Sequence, residues 1–220
     1  MKKSYLKWSI LGLSMVLILN SCVQEETSPV AVEEKAVVES INELVAGSEN
    51  FRKAPNGVVY QEKFSNQSIA GSNGIPPYAF PGFGMGNATY LGKSYSFFNQ
   101  YATGEPDENG VVYTIAAPVT EFFAPQLTAL GLDVAGINSN PKLVSTLTTD
   151  GKGNTIYFNN ILNKAQFDLE GNISFEAQIE IVGGTGIFVD ATGTGTVFGN
   201  VSGANGQGTT LVKAQIQFNK

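Results

Sequence analysis

The feature that most constrains this chain is a pair of strand-like runs joined by glycines. From Ile173 to Ile181 every odd position is apolar (Ile173, Phe175, Ala177, Ile179, Ile181) and every even one polar (Ser174, Glu176, Gln178, Glu180). Side chains alternate faces along a β-strand, so this run reads as a strand with one face buried and one in water. Gly183, Gly184 and Gly186 follow and allow a sharp reversal. The next run places Ile187, Val189, Ala191, Gly193, Gly195, Val197, Gly199 and Val201 on one face, all apolar or small. That face is expected to point inward and to pair with Ile173–Val182. Its glycines permit the coiling and close strand approach that barrel closure demands.

The rest of the chain beyond Gly57 follows the same pattern. Turn pairs recur at Asn56-Gly57, Asn109-Gly110, Asp150-Gly151, Gly171-Asn172 and Asn205-Gly206. Such pairs supply the positive φ of tight hairpins. Between them lie β-rich runs at Val58–Phe64, Ala88–Phe98, Val111–Ala117, Leu143–Thr148, Thr155–Phe158, Ala165–Leu169 and Thr210–Phe218. The spacing predicts one all-β domain over residues 57–220, an antiparallel sandwich or barrel. One helix interrupts it near residues 120–131, with Pro125 near its start, Gly131 as its stop, and an apolar face suited to plugging one barrel end.

The N-terminal region has a different character. Lys2, Lys3 and Lys7 precede an apolar run from Trp8 to Leu19, and Leu19-Asn20-Ser21-Cys22 follows. This order is that of a secretory signal peptide over residues 1–21, and its end resembles a bacterial lipobox. Cys22, the one cysteine in the chain, is then the lipidated first residue of the mature protein. An apolar run this short does not span a bilayer, which takes roughly 18–20 residues. Several acyl chains on Cys22 anchor firmly without a spanning helix. Residues 22–56 read as an acidic tether with room for a short helix at Val37, Ile41, Leu44 and Val45. Gln24-Glu25-Glu26 resembles a surface-export signal of some Gram-negative lipoproteins, or is a solvated linker. The expected location is the cell envelope, at the outer membrane or its surface.

Cleavage removes three of 13 basic residues and none of 19 acidic ones, leaving a net charge of −9. Nucleic acid, which rewards clustered basic residues, is not the expected partner. The chain contains no histidine, so Ser-His-Asp and Cys-His catalysis and histidine-ligated metals are excluded. No metal and no cofactor is expected. Carboxylate chemistry survives, with Glu121, Asp133, Asp168 and Asp190 near strand ends or loops. Asp107-Glu108-Asn109 is a polar turn without the ligand spacing of a calcium loop. The segment Gly74–Gly86, rich in proline and glycine, reads as irregular. Its Tyr78, Phe80, Phe83 and Met85 are candidate ligand contacts, or a loop folded over a barrel mouth.

Ile181–Gly193 reads I-V-G-G-T-G-I-F-V-D-A-T-G. It resembles the Gly-Gly-Thr-Gly-x-Phe-x-x-Ala-x-Gly signature of dirigent proteins and the glycine-rich turn of allene oxide cyclases. The matching positions are Gly183, Gly184, Thr185, Gly186, Phe188, Ala191 and Gly193. The resemblance implies a closed antiparallel β-barrel of about eight strands. The arginine usual after the motif alanine is Thr192 here, and no active-site residue carries over. Three functions are compatible with these features. One is an anchored barrel binding a small apolar molecule, a glycan or an envelope partner. The second is a dirigent- or cyclase-like enzyme steering a reactive intermediate. The third is a structural envelope component. An open interior with inward carboxylates or tyrosines would favour the enzyme, and a sealed core the structural role.

Overall fold

The structure, a computed structural model, describes residues 57–69 and 79–218. The expected signal peptide (1–21), the tether (22–56) and Tyr78 lie outside the described residues. Ten strands follow in chain order: β1 (Val58–Ser68), β2 (Gly82–Ala88), β3 (Gly92–Phe98), β4 (Gln100–Ala102), β5 (Val111–Ala116), β6 (Thr146–Thr149), β7 (Thr155–Phe167), β8 (Ile173–Thr185), β9 (Thr192–Val201) and β10 (Gln207–Gln217). Helices α1 (Val119–Ala129) and α2 (Val134–Asn138) lie between β5 and β6.

Eight of these strands close a ring in the order β7-β6-β3-β2-β1-β10-β9-β8, and β8 pairs back onto β7. Every pairing is antiparallel. The all-β closed barrel expected from the sequence is therefore the observed fold. β7 is long enough to hold two partners on one edge: β6 along Thr155–Phe158 and β5 along Asn163–Gln166. Register shifts against β8 fall between Ile156 and Phe158 and between Asn160 and Leu162. Such bulges bend a strand and let it turn a barrel corner.

The long hairpin keeps its expected register. Ile179 faces Gly195 and Ile181 faces Gly193 across β8 and β9. Its tip differs from expectation. After Thr185 the chain makes a 3₁₀ turn at Gly186–Phe188, and β9 begins only at Thr192. Ile187 and Val189 are therefore outside the strand and 49% and 54% exposed, whereas Phe188 is fully buried. The inward face proper starts at Ala191, which is also fully buried. Three glycine-rich positions of the motif have direct backbone causes: Gly183 and Gly186 hold positive φ, and a Cβ on Gly184 would lie 2.1 Å from the Thr155 carbonyl oxygen.

Phe188 closes one end of the barrel. Its ring stands edge-on to Tyr60 at 6.1 Å and joins Ile156, Ile181, Ala191 and Ile216 in one buried cluster. The helices do not plug the opposite end, as their apolar face had indicated. Phe123 and Leu127 of α1 and Ile137 of α2 pack on Phe97, Leu147 and Tyr157. Ser96, Phe98, Thr146 and Phe158, the immediate chain neighbours of those three wall residues, line the interior. Alternation thus puts the helices on the outer wall. Pro125 falls inside α1, and Gly131 ends the helical segment with φ +78°.

Candidate binding cavity

The barrel interior is packed at the Phe188 end and open in its other half. The cavity there has a volume of about 90 Å³, several times the ~10–15 Å³ that one water needs. Its two sides differ. β8 and β9 contribute Ile173, Phe175, Ala177, Ile179, Val197 and Val201, an entirely apolar wall. β1, β4, β5 and β7 contribute Glu62, Asn66, Gln100, Thr114, Asn160 and Asn163. Phe80, Phe98, Phe158 and Phe167 complete an aromatic lining with Phe175.

The polar groups arise from strand alternation. On β1, Tyr60, Glu62, Phe64 and Asn66 share the inward face, while Gln61, Lys63 and Ser65 face water. Glu62 is 2% exposed, and the Tyr60 hydroxyl donates a 2.5 Å hydrogen bond to its Oε1. Burial pushes the Glu62 carboxyl up to about 7, opposed in part by the hydroxyls of Tyr60 and Thr148. Burial, with the neighbouring Glu62 charge, holds the Tyr60 phenol well above its ordinary value. Desolvation dominates because, among the described residues, no cation lines the cavity and Glu62 is the one ionisable lining side chain.

A second network sits on β4, β5 and β7. The Thr114 hydroxyl donates to Gln100 Oε1 at 2.5 Å. The Asn163 amide nitrogen donates to that same oxygen and to Thr114 Oγ1 at 2.6 Å. With its nitrogen committed, Asn163 Oδ1 has no partner among the described residues, and Asn160 Oδ1 has none either. Both side chains are more than nine-tenths buried. A buried acceptor left unpaired costs roughly 1–3 kcal/mol, and both oxygens belong to side chains that line the cavity.

The residues singled out in the sequence fall in different places. Phe80 lines the cavity. Phe83 and Met85 sit on the outer face of β2, exposed and pointing away from it. The segment Gly82–Ala88 is a regular strand, contrary to its glycine content. A Cβ at Gly84 would meet Asn66 Oδ1 at 2.0 Å, and one at Gly86 the Lys63 carbonyl oxygen at 1.9 Å. The glycines are there because β2 and β1 approach closely. Val197 and Val201 alone of the Gly/Thr run line the cavity.

Of the carboxylates expected near strand ends or loops, none lines the cavity, and Asp168 serves a turn. Asp168 accepts from the backbone of Glu170 and Asn172 and from the Asn172 side chain, which holds its carboxyl below the usual range. Asp107 accepts from the backbone of Asn109 and Val111. Glu121 accepts from the Tyr101 hydroxyl. Among the described residues no three of His, Cys, Asp and Glu gather closely enough to hold a metal ion. Glu62, Asn160 and Asn163 were not singled out from the sequence, although the Tyr60–Glu62–Phe64 alternation marks Glu62 as inward. No protein-family model, no curated protein and no solved structure matches this chain.

Proposed function

We propose that this chain is an envelope lipoprotein whose barrel binds a small molecule in its interior, the ligand having an apolar body and at least one hydrogen-bonding group. The observation that carries the reading is the cavity's mixed lining: an apolar wall on β8 and β9, with polar side chains on β1, β4, β5 and β7, of which Asn160 and Asn163 have unpaired acceptors. A core built only for stability fills such space and pairs such groups. The order of lysines, apolar run and Leu19–Cys22 supports anchoring through an acylated Cys22. The glycine-rich motif at Gly183–Gly193 supports a relationship with the dirigent and allene oxide cyclase barrels.

The test is native mass spectrometry of the protein released gently from its own envelope. A discrete small-molecule adduct is expected in the wild type and should be lost in Ala177→Phe, which fills the cavity from the apolar wall. Identical, adduct-free masses for both proteins would refute the reading.

A second reading, an acid–base enzyme, is favoured by Glu62 in particular. A carboxyl near 7 is present in both forms at neutral pH, which suits a general acid or base. In that case turnover of the retained molecule would cease in Glu62→Gln, while a pure binder would retain its ligand without converting it.

A further inference from the structure

The charge that lines the cavity is of one sign. Among the described residues its single ionisable side chain is an acid, and no lysine or arginine lines it. Tyr60, on the same strand, is the titratable group that faces Glu62. Val212 stands beside it on β10, Phe158 and Ile179 line the same cavity, and Thr148 on β6 adds only a hydroxyl. β7 is the fourth strand from β1 in either direction around the eight-strand ring, so Asn160 and Asn163 occupy the wall opposite Glu62. Their unpaired oxygens accept hydrogen bonds and donate none. Five phenylalanines line the space, and an aromatic face attracts cations.

Resting on the reading of the barrel as a binding site, we propose that its ligand is a small organic ammonium ion, with Glu62 as counter-charge and a short apolar body against the phenylalanines. Each feature then has a role. The ammonium supplies N–H donors to a site in which acceptors are in excess. It also compensates the carboxylate that burial otherwise keeps partly protonated, so binding below neutral pH expels a proton from Glu62. An anionic ligand would bring a second negative charge beside Glu62 with no donor cation to offset it. A neutral alcohol would satisfy one acceptor and leave the carboxylate uncompensated. The overall acidity of the chain, 19 acidic against 13 basic residues, favours the approach of cations over anions.

The experiment uses three probes of equal chain length: n-pentylamine, 1-pentanol and pentanoate. Binding to the full chain is followed by ligand-observed NMR at pH 6 and pH 8. The amine should bind about tenfold or more tightly than the alcohol at pH 8, as a charge-assisted contact outweighs a neutral one. The gap should narrow at pH 6, and pentanoate should bind most weakly. Calorimetry at pH 6 in buffers of different ionisation enthalpy should show proton release with the amine and none with the alcohol. Glu62→Gln, which preserves shape, should keep alcohol binding and lose the amine preference. Alcohol binding as tight as amine binding in the wild type overturns the ammonium assignment and leaves the cavity a binding site. A retained amine preference in Glu62→Gln overturns it as well. Failure of all three probes to bind overturns both the assignment and the binding reading beneath it.

Discussion

Tyr60 and Glu62 stand two positions apart on β1, on the same inward face, and the Tyr60 hydroxyl donates to the Glu62 carboxyl at 2.5 Å deep inside the barrel. The hydroxyls of Tyr60 and Thr148 are thus what compensate a carboxyl that is 2% exposed. The rest of its hydration is lost, and its affinity for a proton rises to about 7 from an ordinary 4.5.

This pair fixes the direction of a pH dependence. Below 4.5 Glu62 is protonated in both the folded and unfolded chains and contributes no difference. Between 4.5 and about 7 the unfolded chain has released the proton and the folded one has kept it. The folded state then binds more protons, so stability falls as pH rises through this window. Above about 7 the loss is complete, on the order of 3 kcal/mol. Glu62→Gln removes this dependence. In denaturant melts the variant should gain on the wild type steadily from pH 4.5 to 7 and hold its advantage at pH 8. A stability difference that does not change with pH would show that Glu62 titrates normally.

The second prediction concerns the closed end. Phe188 is fully buried against Tyr60 and Phe218, whereas Ile187 and Val189 beside it are half exposed. Phe188→Ala should cost about 3–5 kcal/mol. Ile187→Ala and Val189→Ala should each stay within about 1 kcal/mol of wild type. Thermal melts of the three variants decide between the 3₁₀ turn and a continuous strand, since a continuous strand would reverse the order.

The contrast at Phe188 shows where alternation is informative. In β8 the alternation of Ile173–Ile181 identified strand, face and register, because one wall is buried and the other wet. Alternation carried past Gly186 gave the wrong face for Ile187 and Val189, since the 3₁₀ turn interrupts the strand phase, and the expected face resumes at Ala191. β7 read as two short runs because its middle holds Asn159, Asn160 and Asn163, polar residues on a strand whose inward face lines a cavity. β2 read as loop because close approach to β1 requires its glycines. Glu62 was legible in principle from Tyr60 and Phe64 on either side. The unpaired oxygens of Asn160 and Asn163 were not, because which amide atoms find partners depends on Gln100 and Thr114, distant in sequence.

The third prediction tests anchoring. A lysine-led apolar run ending at Cys22 should be cleaved before that cysteine and acylated on it. Metabolic labelling with a clickable palmitate analogue should mark the wild type and leave Cys22→Ala unmarked. Equal labelling of the two would exclude lipidation at this position.

The last prediction separates packed glycines from those beside free space. Gly195 faces Ile179 across β8 and Ala214 across β10. A Cβ there would lie 2.4 Å from the Lys213 carbonyl oxygen and 2.6 Å from Ala214 Cβ. Neither neighbour can withdraw without moving the β9–β10 ladder. Gly195→Leu should therefore overpack the wall and cost on the order of 1–3 kcal/mol or more. Ala177 belongs to the same hairpin, paired with Val197 one step along β9, but its side chain borders the cavity. Ala177→Phe adds about as much volume as Gly195→Leu and yet has room to receive it. Its melting temperature should stay near the wild type while Gly195→Leu falls by several degrees. If Gly195→Leu melts with the wild type, β9 is not packed against β10 at that point and the cavity extends to it. If Ala177→Phe collapses instead, the space beside the apolar wall is too small to hold a ligand.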